Sequence, residues 1–156
     1  MRTRTTAAAV CAVALVVLAA CGGGDHHSDS ASAPQPAEVS AATQTIDVSA
    51  GAGLVFDPTT VNVKAGETVA FKVTNADPMM THEFVVGDAD AQAHHEEEMR
   101  ELAPGQHMAD DESGISLAPG ETKTIAFTFP EAGTILYGCH EPGHYPSGMK
   151  GEIKVT

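Results

Sequence analysis

Between Thr43 and Thr156 the chain is cut by turn residues into short runs that alternate apolar with polar side chains, a cadence that points to strands throughout. Val69, Phe71 and Val73 alternate with Ala70, Lys72 and Thr74. Ile125, Phe127 and Phe129 alternate with polar or small neighbours, again with the period of two of a half-buried strand. Strands are expected at Thr45–Ala50, Thr59–Val63, Thr68–Thr74, Glu83–Val86, Thr122–Phe129, Thr134–Tyr137 and Glu152–Val155. Lys64-Ala65-Gly66-Glu67, Ala118-Pro119-Gly120-Glu121 and Pro130-Glu131-Ala132-Gly133 supply turn chemistry between them. This pattern predicts an all-β fold, an antiparallel Greek-key β-sandwich. Its core must be small: aromatics are 4% of the chain, with five Phe and no Trp.

Residues 88–113 break the cadence. Helix formers fill 89–102, and Asp88 or Asp90 is placed to cap them, so one surface helix and loop are expected as an insertion. Glu96, Glu97, Glu98, Glu101, Asp110, Asp111 and Glu112 make it strongly acidic, which reads as a solvated face. His94 and Glu98 stand four apart and would share a helix face. With His95, and with His140 from a later loop, they form a possible accessory metal site.

Ahead of the domain, Arg2 and Arg4 precede an apolar run from Ala7 to Ala20 and then Cys21. Fourteen apolar residues fall short of the roughly 20 that a membrane span needs, and the arrangement is that of an export signal. Leu18-Ala19-Ala20-Cys21 resembles a bacterial lipobox, which implies removal of residues 1–20, lipidation of Cys21 and attachment to the outer face of a membrane. Residues 21–42 are Gly, Ser, Ala, Pro and acid, the composition of a disordered tether. The domain is accordingly placed at 43–156. The three Cys then divide into one discarded (Cys11), one lipidated (Cys21) and one left alone in an oxidising compartment (Cys139). The formal charge of −13 becomes −15 once Arg2 and Arg4 leave. Such a surface excludes nucleic acid as a partner.

The chemistry is concentrated in Cys139-His140-Glu141-Pro142-Gly143-His144-Tyr145-Pro146-Ser147-Gly148-Met149, between one expected strand and the last. A thiolate, an imidazole and a thioether lie within one loop that Pro and Gly can bend back on itself. Soft sulfur with imidazole selects copper over magnesium or calcium, and His82, where a loop enters a strand, offers a second imidazole. Zinc competes weakly, because its structural sites prefer four Cys or His ligands. Cys139-His140-x-x-x-His144 is half of a multicopper-oxidase signature, but Gly138 stands where that signature needs its other His. A catalytic Cys-His pair has no third orienting residue in evidence.

From Phe56-Asp57-Pro58 through Val63-Lys64-Ala65-Gly66-Glu67-Thr68-Val69 and Asn75 to Met149-Lys150-Gly151, the domain resembles the cupredoxins, with a ligand loop most like those of auracyanin and rusticyanin. The resemblance implies one type 1 copper, with His82, Cys139 and His144 as equatorial ligands and Met149 as the axial one. It implies that Asn75 ties the ligand loops together, that the protein is an electron carrier and not an enzyme, and that His144 is its electron port. Pro142, Tyr145 and Pro146 would form the docking patch beside that port. The acidic surface predicts a redox partner with a basic face, met by a monomer. The surplus of Met79, Met80, His94, His95, Met99, His107, Met108 and His140 raises a second expectation, a lipoprotein that buffers or delivers copper. Met79 and Met80 are otherwise expected to pack beside the copper pocket.

Overall fold

The computed structural model describes residues 32–51 and 53–156; the expected export segment and Cys21 lie outside the described residues. Among the described residues ten strands, one α-helix and a 3-10 turn at Val39–Ala41 occur, the strands and α-helix in the order β1 (Gln35–Ala37), β2 (Gln44–Gly51), β3 (Val55–Asp57), β4 (Thr60–Val63), β5 (Thr68–Asn75), β6 (His82–Gly87), α1 (Ala89–Glu101), β7 (Gly114–Leu117), β8 (Thr122–Thr128), β9 (Gly133–Gly138) and β10 (Lys150–Val155). They form two five-stranded sheets, ordered β1-β8-β5-β2-β3 and β4-β10-β9-β6-β7. The all-β sandwich expected from the alternation is present.

Three details differ from expectation. Two pairings, β2 with β5 and β10 with β4, are parallel, as chain crossovers between the layers require. The ordered chain also starts before Thr43: β1 pairs with β8, Gln35 opposite Thr128 and Ala37 opposite Ala126, inside the stretch expected to be a disordered tether. Three paired residues need backbone partners and hardly any apolar surface, which composition does not report. The short strands β3 and β7 likewise carry too few residues to display a period.

The period-two pattern does set the core. Along β4 and β10 every second residue is buried, and all five Phe point inward with Tyr137. Their rings form one connected cluster: Phe56 to Tyr137 at 5.3 Å, Phe84 to Tyr137 at 5.1 Å, Phe71 to Phe84 at 5.4 Å. A scarce aromatic content is thus spent almost wholly inside, where each buried Phe contributes about 1.5–3 kcal/mol. Tyr137 satisfies its hydroxyl by donating to the Pro58 carbonyl.

Strand β6 departs from alternation, with all six residues buried. One face meets the opposite sheet and the other is covered by α1, which packs on β6 and β9. The helix begins as the sequence predicts: the Asp88 side chain accepts from Ala91 N at 2.9 Å. Its inner face is polar, however. Gln92, His95 and Met99 are buried at helical spacing, so the acidic run is solvated on one side only. No helix among the described residues is long and apolar enough to cross a membrane.

Candidate metal centre

His82 is the first residue of β6, Cys139 follows the last residue of β9, and Met149 precedes the first of β10. Because β6, β9 and β10 are neighbours in one sheet, with Val85 opposite Gly138 and Gly138 opposite Lys150, strand register alone carries the three positions to one end of the sandwich. The 139–149 loop then turns back on itself. His144 N donates to Glu141 O at 2.8 Å, and Met149 N donates to His144 O and Cys139 N to Met149 O, both at 3.1 Å. Met149 is therefore tied through its backbone to both loop residues expected to share the metal with it.

The donor atoms of His82, Cys139 and His144 all lie within 4.8 Å of one another. Cys139 Sγ is 3.3 Å from His144 Nδ1 and 3.8 Å from His82 Nδ1, and the two imidazole nitrogens stand 3.3 Å apart. Cys139, Met149 and His82 are fully buried, and His144 is 9% exposed, the one member that reaches the surface. Three of the four expected ligands thus converge, and Met149, fully buried, is bonded through its backbone to two of them.

Their chemistry fits a soft cation. Without one, burial pushes the Cys139 thiol up to about 12, against the backbone N–H groups of Glu83 and Glu141 that favour its thiolate; Glu83 N stands 3.3 Å from Sγ. Burial likewise lowers both imidazoles, whose positive charges would repel each other. A bound cation reverses the thiol's preference and uses the neutral imidazoles as they are. His82 Nε2 is buried without a hydrogen-bond partner, and the nearest carboxylate oxygen, Asp77 Oδ2, is 3.8 Å away. With Nδ1 given to a metal, Nε2 would carry the proton, on the side that faces the Asp77 carboxylate.

A shell of hydrogen bonds holds these side chains. Asn75 Nδ2 donates to Met80 O at 2.8 Å and Leu117 O at 2.9 Å, while Oδ1 accepts from Asp77 N at 2.9 Å. Asp77 Oδ1 accepts from Met79 N and Met80 N, bonds that hold its carboxyl below the usual range. Asn75 thus ties the loop before His82 to the end of β7, and not to the 139–149 loop as the resemblance implied. On the other side, Gln92 Nε2 donates to Val85 O at 3.1 Å, its Oε1 lies 2.7 Å from His140 Nε2, and Glu96 Oε2 lies 2.8 Å from His140 Nδ1. Tyr145 stacks on His140 at 4.4 Å and 17°. Gly138 makes room for this: a Cβ there would stand 2.5 Å from the Tyr145 ring and 2.8 Å from Gln92 Oε1.

Several expectations change. His140 is not free to join an accessory site, since both its ring nitrogens face acceptors. His94 stands on the outer helix face at 3.4 Å from Glu98, whereas His95 turns inward to Glu83 Oε2 at 3.5 Å and is 4.0 Å from Glu98. The grouping of His94, His95, Glu98 and His140 is therefore divided. Met79 and Met80 do not pack beside the pocket; they are 83% and 38% exposed. Of the expected docking patch, Pro142 and Pro146 are exposed but Tyr145 is half-buried under the loop. Glu83, Gln92 and Asp77 were missed in the sequence. For Gln92 the available signal was its helical spacing with His95 and Met99 in α1, hidden because hydrophobic periodicity ignores Gln and His.

Residues 42–156 match the family described as copper binding proteins, plastocyanin/azurin family. Among similar proteins, the copper-resistant cuproprotein CopI of Rubrivivax gelatinosus is 34% identical over 78% of this chain and 72% of its own length. Auracyanin-A of Chloroflexus aurantiacus is 36% identical over 72% of this chain and 74% of its own. The dithionite-reduced auracyanin from Roseiflexus castenholzii superposes with a TM-score of 0.63 at 32% identity, covering 74% of this chain and 98% of that one.

Proposed function

Since this chain belongs to the plastocyanin/azurin family of copper-binding proteins, we propose that it is an exported, lipid-anchored type 1 copper protein that passes single electrons between redox partners. His82, Cys139 and His144, with the buried Met149 beside them in the chain loop, would hold the copper. The observation that carries this reading is the buried donor set, in which the ligand atoms of three side chains lie within 4.8 Å of one another. Bound copper supplies the one-electron couple. The protein's part is to hold the donors still, so that little reorganises when the charge changes.

Each residue has a share in that. Glu83 N–H, donating to Cys139 Sγ, stabilises thiolate charge and so tunes the potential. The Asp77 carboxylate faces His82 Nε2, and Asn75 holds the Asp77 loop. His144, at the edge of the pocket, is the port through which the electron leaves, flanked by the exposed Pro142 and Pro146. The acidic surface favours a basic partner face and an encounter that weakens with salt. Anchoring rests on Cys21 and the apolar run before it.

A second reading, copper buffering or delivery, draws on the CopI relatives, which are named for copper resistance, and on the exposure of Met79 and Met80 two and three residues ahead of His82. Copper(II) added to the metal-free protein is expected to give an intense thiolate absorption that Cys139→Ser abolishes; a colourless site filled by zinc would overturn the assignment. Reduction kinetics separate the readings. Fast, reversible reduction supports the carrier, and sluggish cycling with ready release to a chelator supports delivery.

A further inference from the structure

The acidic insertion does more than cover β6. Past α1 it reaches the ligand loop, where His107 Nδ1 stands 2.6 Å from Glu141 Oε1. The Glu141 side chain is 8% exposed, and His107 is its one hydrogen-bond partner among the described residues. An exposed pair of this kind would count for little, but burying a carboxylate is costly unless it is paired. The segment that carries His107 is itself fixed on both sides. Before it, Gln106 N donates to Ala103 O at 3.0 Å and Ala103 N to Gln106 Oε1 at 3.3 Å. After it, Asp110 Oδ1 accepts from Ser116 N at 2.9 Å and Asp111 Oδ1 from Gly114 N at 3.0 Å.

Glu141 lies between Cys139 and His144 and its backbone serves both. Its carbonyl accepts from His144 N at 2.8 Å, and its N–H is one of the two that favour the Cys139 thiolate. His82 belongs to β6 and Cys139 directly follows β9, whereas His144 belongs to no strand and is the member of the donor set that reaches the surface. His144 is therefore the donor that a local opening of the loop moves first. Gln92 and Glu96 already grip His140 from α1; the His107 contact adds a hold on the His144 side. We propose that His107 is a positioning residue of the metal centre: through the Glu141 carboxylate it fixes the backbone that joins Cys139 to His144, and so slows the loop opening by which copper leaves. This rests on the copper reading above and names the part of the insertion that sets its retention.

The test uses the full copper-loaded chain. His107→Leu removes the donor and keeps the bulk, whereas His107→Asn offers an amide N–H where Nδ1 stood. Copper release to excess chelator should quicken at least about tenfold in the Leu variant and return towards the wild-type rate in the Asn one. In the metal-free protein, amide hydrogen exchange at His144 should follow the same order. His94→Leu, on the outer helix face, should release copper at the wild-type rate. A smaller effect of His107→Leu on release, unchanged exchange at His144, an Asn variant as fast as the Leu one, or equal quickening in His94→Leu overturns the positioning role. Should His107→Leu take up no copper, His107→Gln decides, because its longer side chain misplaces the donor: release faster than in the Asn variant supports the proposal, and equal release overturns it. A wild-type protein that shows no thiolate absorption with copper would instead be a failure of the copper reading, so the two are distinguishable.

Discussion

A single fully buried amide shows how residue-level chemistry builds the centre. Asn75 ends β5, accepts from Asp77 N, donates to Met80 O and Leu117 O, and so ties the loop before His82 to the strand after the insertion. Removing it leaves the Leu117 carbonyl and the Asp77 N–H buried without these partners, each costing about 1–3 kcal/mol. Asn75→Ala is expected to lose about 2–4 kcal/mol of stability, read from urea midpoints of the metal-free protein. It should also release copper faster, because Asp77 no longer holds its place beneath His82. A variant equal to wild type in both would show that the loop is held by something else. At this scale the sequence was largely informative: Cys139, His144 and Met149 announce themselves by residue type and spacing, and Asn75 and His82 by family pattern. Glu83 and Asp77 did not, since an acidic residue beside a His carries no sign of whether it faces solvent or the pocket until register is known.

Among the elements, α1 was legible in extent but not in role. Asp88 and the helix formers mark its start and course, whereas its buried face of Gln92, His95 and Met99 cannot be told from a solvated one by composition. Gln92 is the member that bridges, with one amide atom on Val85 O and the other on His140 Nε2. The residue after Cys139 is thus pinned to a helix from a different part of the chain. Gln92→Leu keeps volume and apolar packing while removing both contacts. We expect about 1–2 kcal/mol of destabilisation, a retained thiolate absorption, and a shifted reduction potential, because the loop carrying Cys139 is then held less firmly. Unchanged potential together with lowered stability would make the helix a cover and nothing more. The parallel pairing of β2 with β5 and the edge pairing of β1 were equally invisible, being facts about which strand meets which.

For the whole molecule, the metal-free and copper-loaded states should respond differently to pH. Burial lowers His82, His140 and His144, so the unfolded chain takes up protons near the ordinary imidazole value of about 6.5 while the folded chain resists until lower pH. Their stabilising effect is whole above that value and is lost as pH falls through the lowered folded values. His95 runs the other way, raised by Glu83, Glu98 and Asp111 against burial, so its contribution is present at low pH and fades as pH rises. Three groups against one predict that the urea midpoint of the metal-free protein falls between pH 7 and pH 5. Copper binds the folded state and occupies two of those imidazoles, which adds stability throughout. It should also move the acid transition lower, since protons must displace the metal before they reach His82 or His144. In a domain whose aromatic core is one small cluster, that increment is a large share of the total. A metal-free midpoint that stayed level or rose across this window would mean that these histidines are solvated in the folded protein, against the burial that places His82 and His144 in one closed site.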